Sequence, residues 1–254
     1  MSALHQYGLL TRVKKYFFPT AYDKAQKKLF DDRVNFYKQF VGAGDLCFDI
    51  GANYGNRTDV FLKLNTKVVA LDPQKSCYDF LKKKYNHRVI ILQKGAGAEA
   101  GYLDFYVNEK NSQVSTFSNK WINDLKQTRF AGNEWNRTEK VEVTTLDALI
   151  AEFGEPQFIK IDVEGFEPEV IKGLSKPFHY LSFEYAVPEK LDNLLECLQL
   201  LQSKYKNLGV NYARGEEPAL QIDKWLSIEE MIDLVQQKKF IDSFAGDIYI
   251  KTLL

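Results

Sequence analysis

Four acidic residues of this chain stand where carboxylates could do chemistry. Asp49, Asp72, Asp162 and Glu184 fall at or near the ends of the apolar runs LCFDI, VVALD, FIKID and YLSFE. Short apolar runs alternating with helical patterns read as strands of a parallel sheet, buried on both faces. Ligands of open α/β sheets sit outside the carboxyl ends of the strands, so all four acids would share one ligand-facing edge. Asp49 is followed by Gly51-Ala52-Asn53-Tyr54-Gly55 and then by a helical pattern over Arg57–Leu64. The glycines remove the Cβ where the chain turns sharply and a ligand approaches the backbone. Asp72 comes 21 residues after Gly51, about the spacing of an acid that accepts ribose hydroxyls.

The loop decides which nucleoside-bearing cofactor fits. A dinucleotide site wants G-x-G-x-x-G, with glycines for the turn, the pyrophosphate and the helix packing. Here one glycine is missing and Asp49 precedes the loop. A carboxylate there favours positive charge and repels a pyrophosphate. S-adenosylmethionine offers an ammonium, a sulfonium and a ribose. Asp49 is then expected to reach the amino-acid part, directly or through water. Gly51, Ala52, Asn53 and Gly55 are expected to line the loop, and Asp72 to accept the ribose hydroxyls. Gln93 and Lys94 follow the third strand and are weaker candidates for the adenine edge. The competing readings are an NAD-dependent oxidoreductase or epimerase, opposed by the missing glycine and the lack of a Tyr-x-x-x-Lys pair, and a non-catalytic cofactor-binding protein.

DIGANYGNRT, VVALDP, VTTLDAL and FIKIDVEGFEPEVIKGL, in that order, resemble the FkbM family of S-adenosylmethionine-dependent methyltransferases over roughly Cys47 to Glu184. The resemblance implies a class I, Rossmann-like methyltransferase fold. That fold is an α/β architecture with a mostly parallel seven-stranded sheet, helices on both faces and a reversed strand pair closing one edge. The activity implied is O-methylation of a hydroxyl on a small molecule such as a sugar or secondary metabolite. Asp72 stands where many members carry Glu; either carboxylate can accept ribose hydroxyls. Ser115 and Thr116, in QVSTF, resemble the family's serine-containing loop between the third and fourth strands, which implies a place for Ser115 beside the cofactor or acceptor.

Methyl transfer to an alcohol calls for a base near the reacting oxygen. Ile159-Lys160-Ile161-Asp162-Val163-Glu164-Gly165 puts Lys160 and Asp162 on one face of the fourth strand, with Glu164 in the following turn. A lysine in so apolar a strand needs an acidic partner. Asp162, Glu164, Lys160 and Glu184 are therefore the catalytic candidates, with Asp162 also counted in the cofactor cradle. His179 precedes the fifth strand, at the opposite sheet edge, and reads as a surface residue. Asp162, Glu164, Glu167 and Glu169 invite an oxygen-rich metal site. Glu167 and Glu169 flank Pro168 at a helix start, however, where acids suit the positive helix end. No metal is expected.

The elements that must position these groups follow from the rest of the chain. Residues 1–44 read as an N-terminal helical cap. Its first helix carries Leu9, Leu10, Val13, Tyr16 and Phe17 at helical spacing, and its second covers about Ala21–Phe40. Residues 45–254 read as the methyltransferase domain. Within it, 95–145 is too long for a simple crossover and is expected to build the substrate side, with Trp121, Phe130 and Trp135 among basic residues. The expected third strand is Arg88–Leu92, and Val114–Phe117 reads as extended. Near the C-terminus, Leu191–Tyr205 reads as a helix, Val210–Arg214 as a strand, Ser227–Lys239 as a helix opened by a Ser227/Glu230 capping box, and Asp247–Lys251 as the last strand.

Composition bounds the partners. Thirty-four basic and 34 acidic residues cancel, which argues against a general nucleic-acid binder. Three scattered cysteines form neither a disulfide framework nor a zinc motif, and a reducing cytoplasm is the natural setting. No apolar run has the length of a membrane span, so no stable membrane insertion is expected. The start, MSALHQYGLLTRVKKYFFP, lacks the continuous apolar segment of a secretory signal. The expected partner is a small, hydroxyl-bearing acceptor.

Overall fold

The computed structural model describes residues 20–126 and 128–253. The helix expected around Leu9–Phe17 lies outside the described residues. α1 (Ala21–Tyr37) starts where Thr20 and Asp23 form a reciprocal capping box, which satisfies two backbone donors at the helix start.

Among the described residues a seven-stranded sheet forms the centre. Its spatial order is β3 (Ile90–Leu92), β2 (Lys67–Leu71), β1 (Leu46–Ile50), β7 (Phe158–Ile161), β8 (Tyr180–Ala186), β10 (Ala245–Thr252) and β9 (Leu208–Arg214). The first five strands run parallel, and β10 is antiparallel to both β8 and β9. From β1 the chain works outward to β3 and then returns to β7 on the other side of β1. Strand order therefore reverses between β1 and β7, where an open sheet leaves its crevice.

Helices cover both faces. α1, α2 (Asn56–Lys63) and α3 (Lys75–Tyr85) pack on one face, in a cluster holding Tyr37, Phe40, Phe61, Phe158 and Tyr249. Phe158 touches four of these rings, with centroids 5.4–6.4 Å away. The other face packs against α5 (Leu146–Phe153), α6 (Glu167–Lys172), α7 (Leu191–Lys204) and α8 (Ile228–Val235). The excursion between β3 and β7 folds as a separate three-stranded sheet, with β4 (Gly95–Ala96) and β5 (Gly101–Val107) either side of β6 (Arg137–Thr144). α4 (Asn119–Leu125) completes it, and Trp121 of α4 packs against Phe130 and Trp135.

Several expected elements differ in extent. The third strand begins at Ile90 because Asn86–Arg88 is a 3-10 turn entered through Asn86 at φ 54°. Within the expected extended run Val114–Phe117, Val114 ends another 3-10 turn, and pairing is limited to one Tyr106–Thr116 bridge. The helix expected over Ser227–Lys239 splits into α8, with the expected capping box, and α9 (Lys238–Ile241). The break turns Phe240 into the core against Tyr185 and Tyr212.

Phe158→Ala should cost about 3–5 kcal/mol, the usual loss for a buried aromatic whose cavity cannot collapse. Urea unfolding measures it. A cost below about 1 kcal/mol would mean that α1 does not pack on this sheet.

Candidate active site

Gly51 brings the two central loops together. Its φ is 84°, and a Cβ on it would lie 1.8 Å from the carbonyl oxygen of Asp162. No side chain fits there, so the turn after β1 lies directly against the turn after β7. The N–H groups of Gly51 and Ala52 both donate to Leu71 O at 2.9 Å, which ties the loop to β2. The next N–H, of Asn53, donates to Asp72 Oδ2 at 2.8 Å, and that of Gln74 to Asp72 Oδ1 at 2.9 Å.

Asp72 is buried, and burial pushes its carboxyl up to about 7 despite these two N–H donors. A carboxylate has about four acceptor sites, so two remain for ribose hydroxyls. Asp49 is buried on β1, accepts the Thr58 hydroxyl, and is held above the usual carboxylate range by burial. Ser115 Oγ accepts the Asn108 N–H at 3.0 Å and faces the same cavity. That cavity, about 240 Å3, is lined by Asp49, Gly51, Ala52, Asn53, Asp72 and Ser115, together with Asp162, Glu164 and Glu184. Gly55 keeps the loop tight from outside the cavity: a Cβ there would meet the Tyr85 hydroxyl at 2.2 Å. Lys94 lines the cavity and pairs with Glu142 at 2.7 Å; Gln93 is not among the lining residues.

The turn after β7 is strained and heavily stitched. Glu164 has φ 54° and Gly165 φ 86°. A Cβ on Gly165 would fall 2.0 Å from the Trp121 ring. Glu167 Oε1 accepts the N–H groups of Val163 and Gly165, each at 3.2 Å. Thr116 Oγ1 donates to Glu164 O at 2.8 Å and Asn193 Nδ2 to Gly165 O at 3.0 Å. A non-glycine residue in the left-handed region costs about 1–3 kcal/mol and persists only where its surroundings over-determine it.

This turn aims Glu164 at Glu184. Oxygens of Asp162, Glu164 and Glu184 all lie within 4.8 Å of one another. Burial holds both glutamates well above the usual carboxylate range, helped at Glu164 by the charges of Glu184 and Asp162 and at Glu184 by that of Asp162. Such a cluster can share a proton, and its oxygens are also a donor set for a hard divalent cation. Glu184 lies two residues inside β8, because pairing with β10 extends that strand to Ala186. Glu164 and Glu184 also line a second cavity of about 60 Å3, with Trp121, Phe130, Lys190 and Asn193.

Lys160 is placed differently from the other catalytic candidates. It lines neither cavity and is 1% exposed. Its Nζ donates to Asp247 Oδ1 at 2.8 Å and lies 3.4 Å from Asp162 Oδ2. Burial opposes its charge, but Asp162 and Asp247 raise its pKa overall. Its contacts join the ends of β7 and β10. His179 is half-exposed at the opposite edge, 3.5 Å from Glu155.

Sequence reasoning missed Arg57, Glu216 and Asp247. Arg57 and Glu216 line the cofactor cavity and bind each other at 2.8 Å, and Asp247 holds Lys160. The one available signal was Arg57 standing directly after the glycine loop. The chain matches the methyltransferase FkbM domain over residues 49–187, more than half its length. The protein belongs to the FkbM methyltransferase family. As an FkbM methyltransferase it is an S-adenosylmethionine-dependent enzyme, and the chemistry of the cavity is compatible with that cofactor: its lining is rich in carboxylates, which suit a cationic ligand and hydroxyl donors.

Among solved structures, this FkbM methyltransferase is similar to the precorrin-6Y C5,15-methyltransferase of Geobacter metallireducens, at 11% identity over 87% of this chain and 88% of that one, with a TM-score of 0.45. It is similar to an rRNA methylase of Streptococcus thermophilus, at 12% identity over 87% and 94%, TM-score 0.44. It is also similar to an O-methyltransferase of Bacillus cereus in complex with SAH, at 12% identity over 95% and 88%, TM-score 0.43. No curated protein matches the chain. No described helix is long and apolar enough to cross a membrane.

Two outcomes are expected. Lys160→Met should cost about 3–5 kcal/mol in urea unfolding, because the buried Asp247 loses its closest cation and keeps only the more distant Arg57; a cost near zero would release Lys160 for a role at the substrate. S-adenosylhomocysteine binding, followed by calorimetry, should tighten as pH rises through about 7 and Asp72 becomes the better acceptor. Asp72→Asn should flatten that profile and weaken binding roughly 10–100-fold, as for loss of a charged hydrogen-bond acceptor.

Proposed function

We propose that this methyltransferase O-methylates a hydroxyl on a small molecule, with the Glu164–Glu184 pair as the base. The observation that carries the reading is the position of these two carboxylates. Both line the cofactor cavity and the smaller cavity beside it. The smaller cavity has room for a hydroxyl-bearing group rather than a whole molecule. Trp121 and Phe130 offer it flat apolar surface, and Lys190 and Asn193 offer polar groups. That mixture suits the edge of a hydroxylated ring, a sugar or a secondary metabolite.

In this reading Asp49, Gly51, Ala52 and Asn53 form the cofactor cradle, Gly55 holds its loop from outside, Asp72 holds the ribose, and Ser115 and Asp162 close the sides. When bound, the cofactor supplies an electrophilic methyl group on a cationic sulfur. The protein's own work is at the acceptor oxygen. A carboxylate oxygen of the pair would accept the hydroxyl hydrogen bond and take up its proton as the acceptor oxygen gains the methyl group that the cofactor would supply. The neighbouring acids raise the proton affinity of the pair, bringing the base nearer to the alcohol it must deprotonate. Lys160 holds Asp162 at the side of the pair, and the strained backbone of Glu164 fixes the aim of its side chain. The carboxylate cluster works without a metal. The three cysteines, buried and unpaired, support a reducing compartment such as the cytoplasm.

Glu164→Gln and Glu184→Gln should each lower kcat roughly 10²–10⁴-fold, the usual contribution of a general base, while calorimetric affinity for S-adenosylhomocysteine holds. The sign of the pH dependence follows from the raised pKa of both groups. The base works deprotonated, so kcat climbs with pH above the ordinary carboxylate range, and either substitution removes that rise. A chelator should leave turnover unchanged. Undiminished turnover in both variants, on an acceptor found by screening hydroxylated compounds, would remove the carboxylate pair from the mechanism.

A further inference from the structure

The cofactor carries a carboxylate as well as its cationic groups, and the cavity that receives it is acidic. Asp49, Asp72, Asp162, Glu164, Glu184 and Glu216 all face it. An anion placed there without a cation would be strongly disfavoured. Two cationic side chains line the cavity, Lys94 and Arg57. Lys94 lies just past β3, next to β2 with its Asp72, and is engaged by Glu142. Arg57 lies in the first turn of α2, two residues past Gly55, with Nη2 3.9 Å from Asp247 Oδ2 and hence near the Lys160–Asp162 end of the crevice. That is the end to which the sulfur and the amino-acid part must come if the methyl group is to face Glu164 and Glu184.

Arg57 is occupied by a carboxylate of the chain itself. Nη2 of Arg57 donates to Glu216 Oε2 at 2.8 Å, and Arg33 of α1 donates to the same oxygen. The two arginine side chains are each 15% exposed, whereas that of Glu216 is 66% exposed on the turn after β9. The receptor is therefore fixed and its present ligand is free to swing. The Nε atoms of Arg33 and Arg57 are buried without partners, so neither guanidinium is fully satisfied by Glu216.

We propose that Arg57 receives the α-carboxylate of the cofactor, and that Glu216 is an internal carboxylate holding that place until the cofactor enters. Arg33 retains Glu216 after the exchange, so the swap leaves no exposed charge stranded. The proposal rests on the cofactor reading above and adds to it a competition between ligand and chain. Burial opposes the charge of Arg57, but Tyr37, Asp247 and Glu216 keep it firmly protonated. It is thus a permanent cation for whichever carboxylate is present.

The test compares S-adenosylmethionine with its decarboxylated analogue by calorimetry. Wild-type protein should bind the intact cofactor about 10-fold or more tightly than the analogue, the worth of one charged hydrogen bond. Arg57→Met should abolish that preference by weakening the intact cofactor alone. Glu216→Gln should tighten the intact cofactor several-fold, on the order of the competitor's removal, and leave the analogue unchanged. Arg57→Lys should recover part of the preference, which separates loss of charge from loss of fold. Equal weakening of both ligands by Arg57→Met, or no change in Glu216→Gln, overturns the exchange while leaving the cofactor reading standing. Wild-type protein that binds neither ligand overturns both.

Discussion

A fully buried ammonium organises the crevice. Register places Asp49 of β1 opposite Lys160 of β7, and Lys160 opposite Ser182 of β8. In β10, Asp247 pairs with Glu184 of β8, two residues beyond Ser182. Residues paired across strands, or two apart along one, point to the same face. A row of polar residues therefore crosses one face of an otherwise apolar sheet. Ser182 is small, so Lys160 can reach past β8 to Asp247 at 2.8 Å. Removing a charge of this kind from water costs several kcal/mol, recovered only when partners are close and fixed. The strand ends are held in register because the ammonium needs Asp247 and Asp162 together. The acids that face the ligand thus inherit their positions from a residue that does not touch it.

A second constraint acts across the reversal point. Gly51 lies against the carbonyl of Asp162, and Gly165 lies against Trp121. These contacts leave no slack between the cofactor loop and the turn that carries Glu164. That turn is bound in turn to the inserted sheet through Thr116 and to α7 through Asn193. Insertion, cofactor loop and strand end form one mechanical unit around the reacting position. Placement of a base to within a few tenths of an ångström comes from such surrounding bonds rather than from the side chain's own rotamer preference.

The parts legible in the sequence are those governed by local rules. β1 runs over the residues its apolar pattern marked, β2 follows its pattern to within one residue, and the capping box at Ser227 opens its helix as read. A buried parallel strand announces itself by continuous apolar residues bounded by polar ones. The split at Gln236–Gln237 had no such mark: glutamine is a fair helix former, and the break exists so that Phe240 can reach the core. The missed site residues share another cause. Arg57, Glu216 and Asp247 are single charged residues, and in sequence each looks like solvated surface. Their roles arise from contacts spanning 159 positions for Arg57–Glu216 and 87 for Lys160–Asp247. No local periodicity records such pairings. Lys160 was legible only because a lysine in an apolar strand is itself anomalous, and the anomaly fixed the need for a partner without naming Asp247.

The charge of the cavity also bears on turnover. Its lining is acidic around two cations already paired with glutamates, Lys94 and Arg57, an environment that favours a cationic sulfur and disfavours losing that charge. Methyl transfer alone would remove positive charge from an acidic cleft and so work against its field. The proton released by the acceptor restores the balance if it is kept nearby. Were Glu164 and Glu184 its recipients, as proposed, the positive charge given up by the cofactor would be replaced on the carboxylate pair, and the net charge of the cleft would be unchanged. The same clustering that raises the proton affinity of the two glutamates thereby keeps the transfer from being opposed by the residues that bind the cofactor. In the proposed mechanism Asp162 would join base and cradle: it lines the cavity and also makes the pair willing to hold a proton.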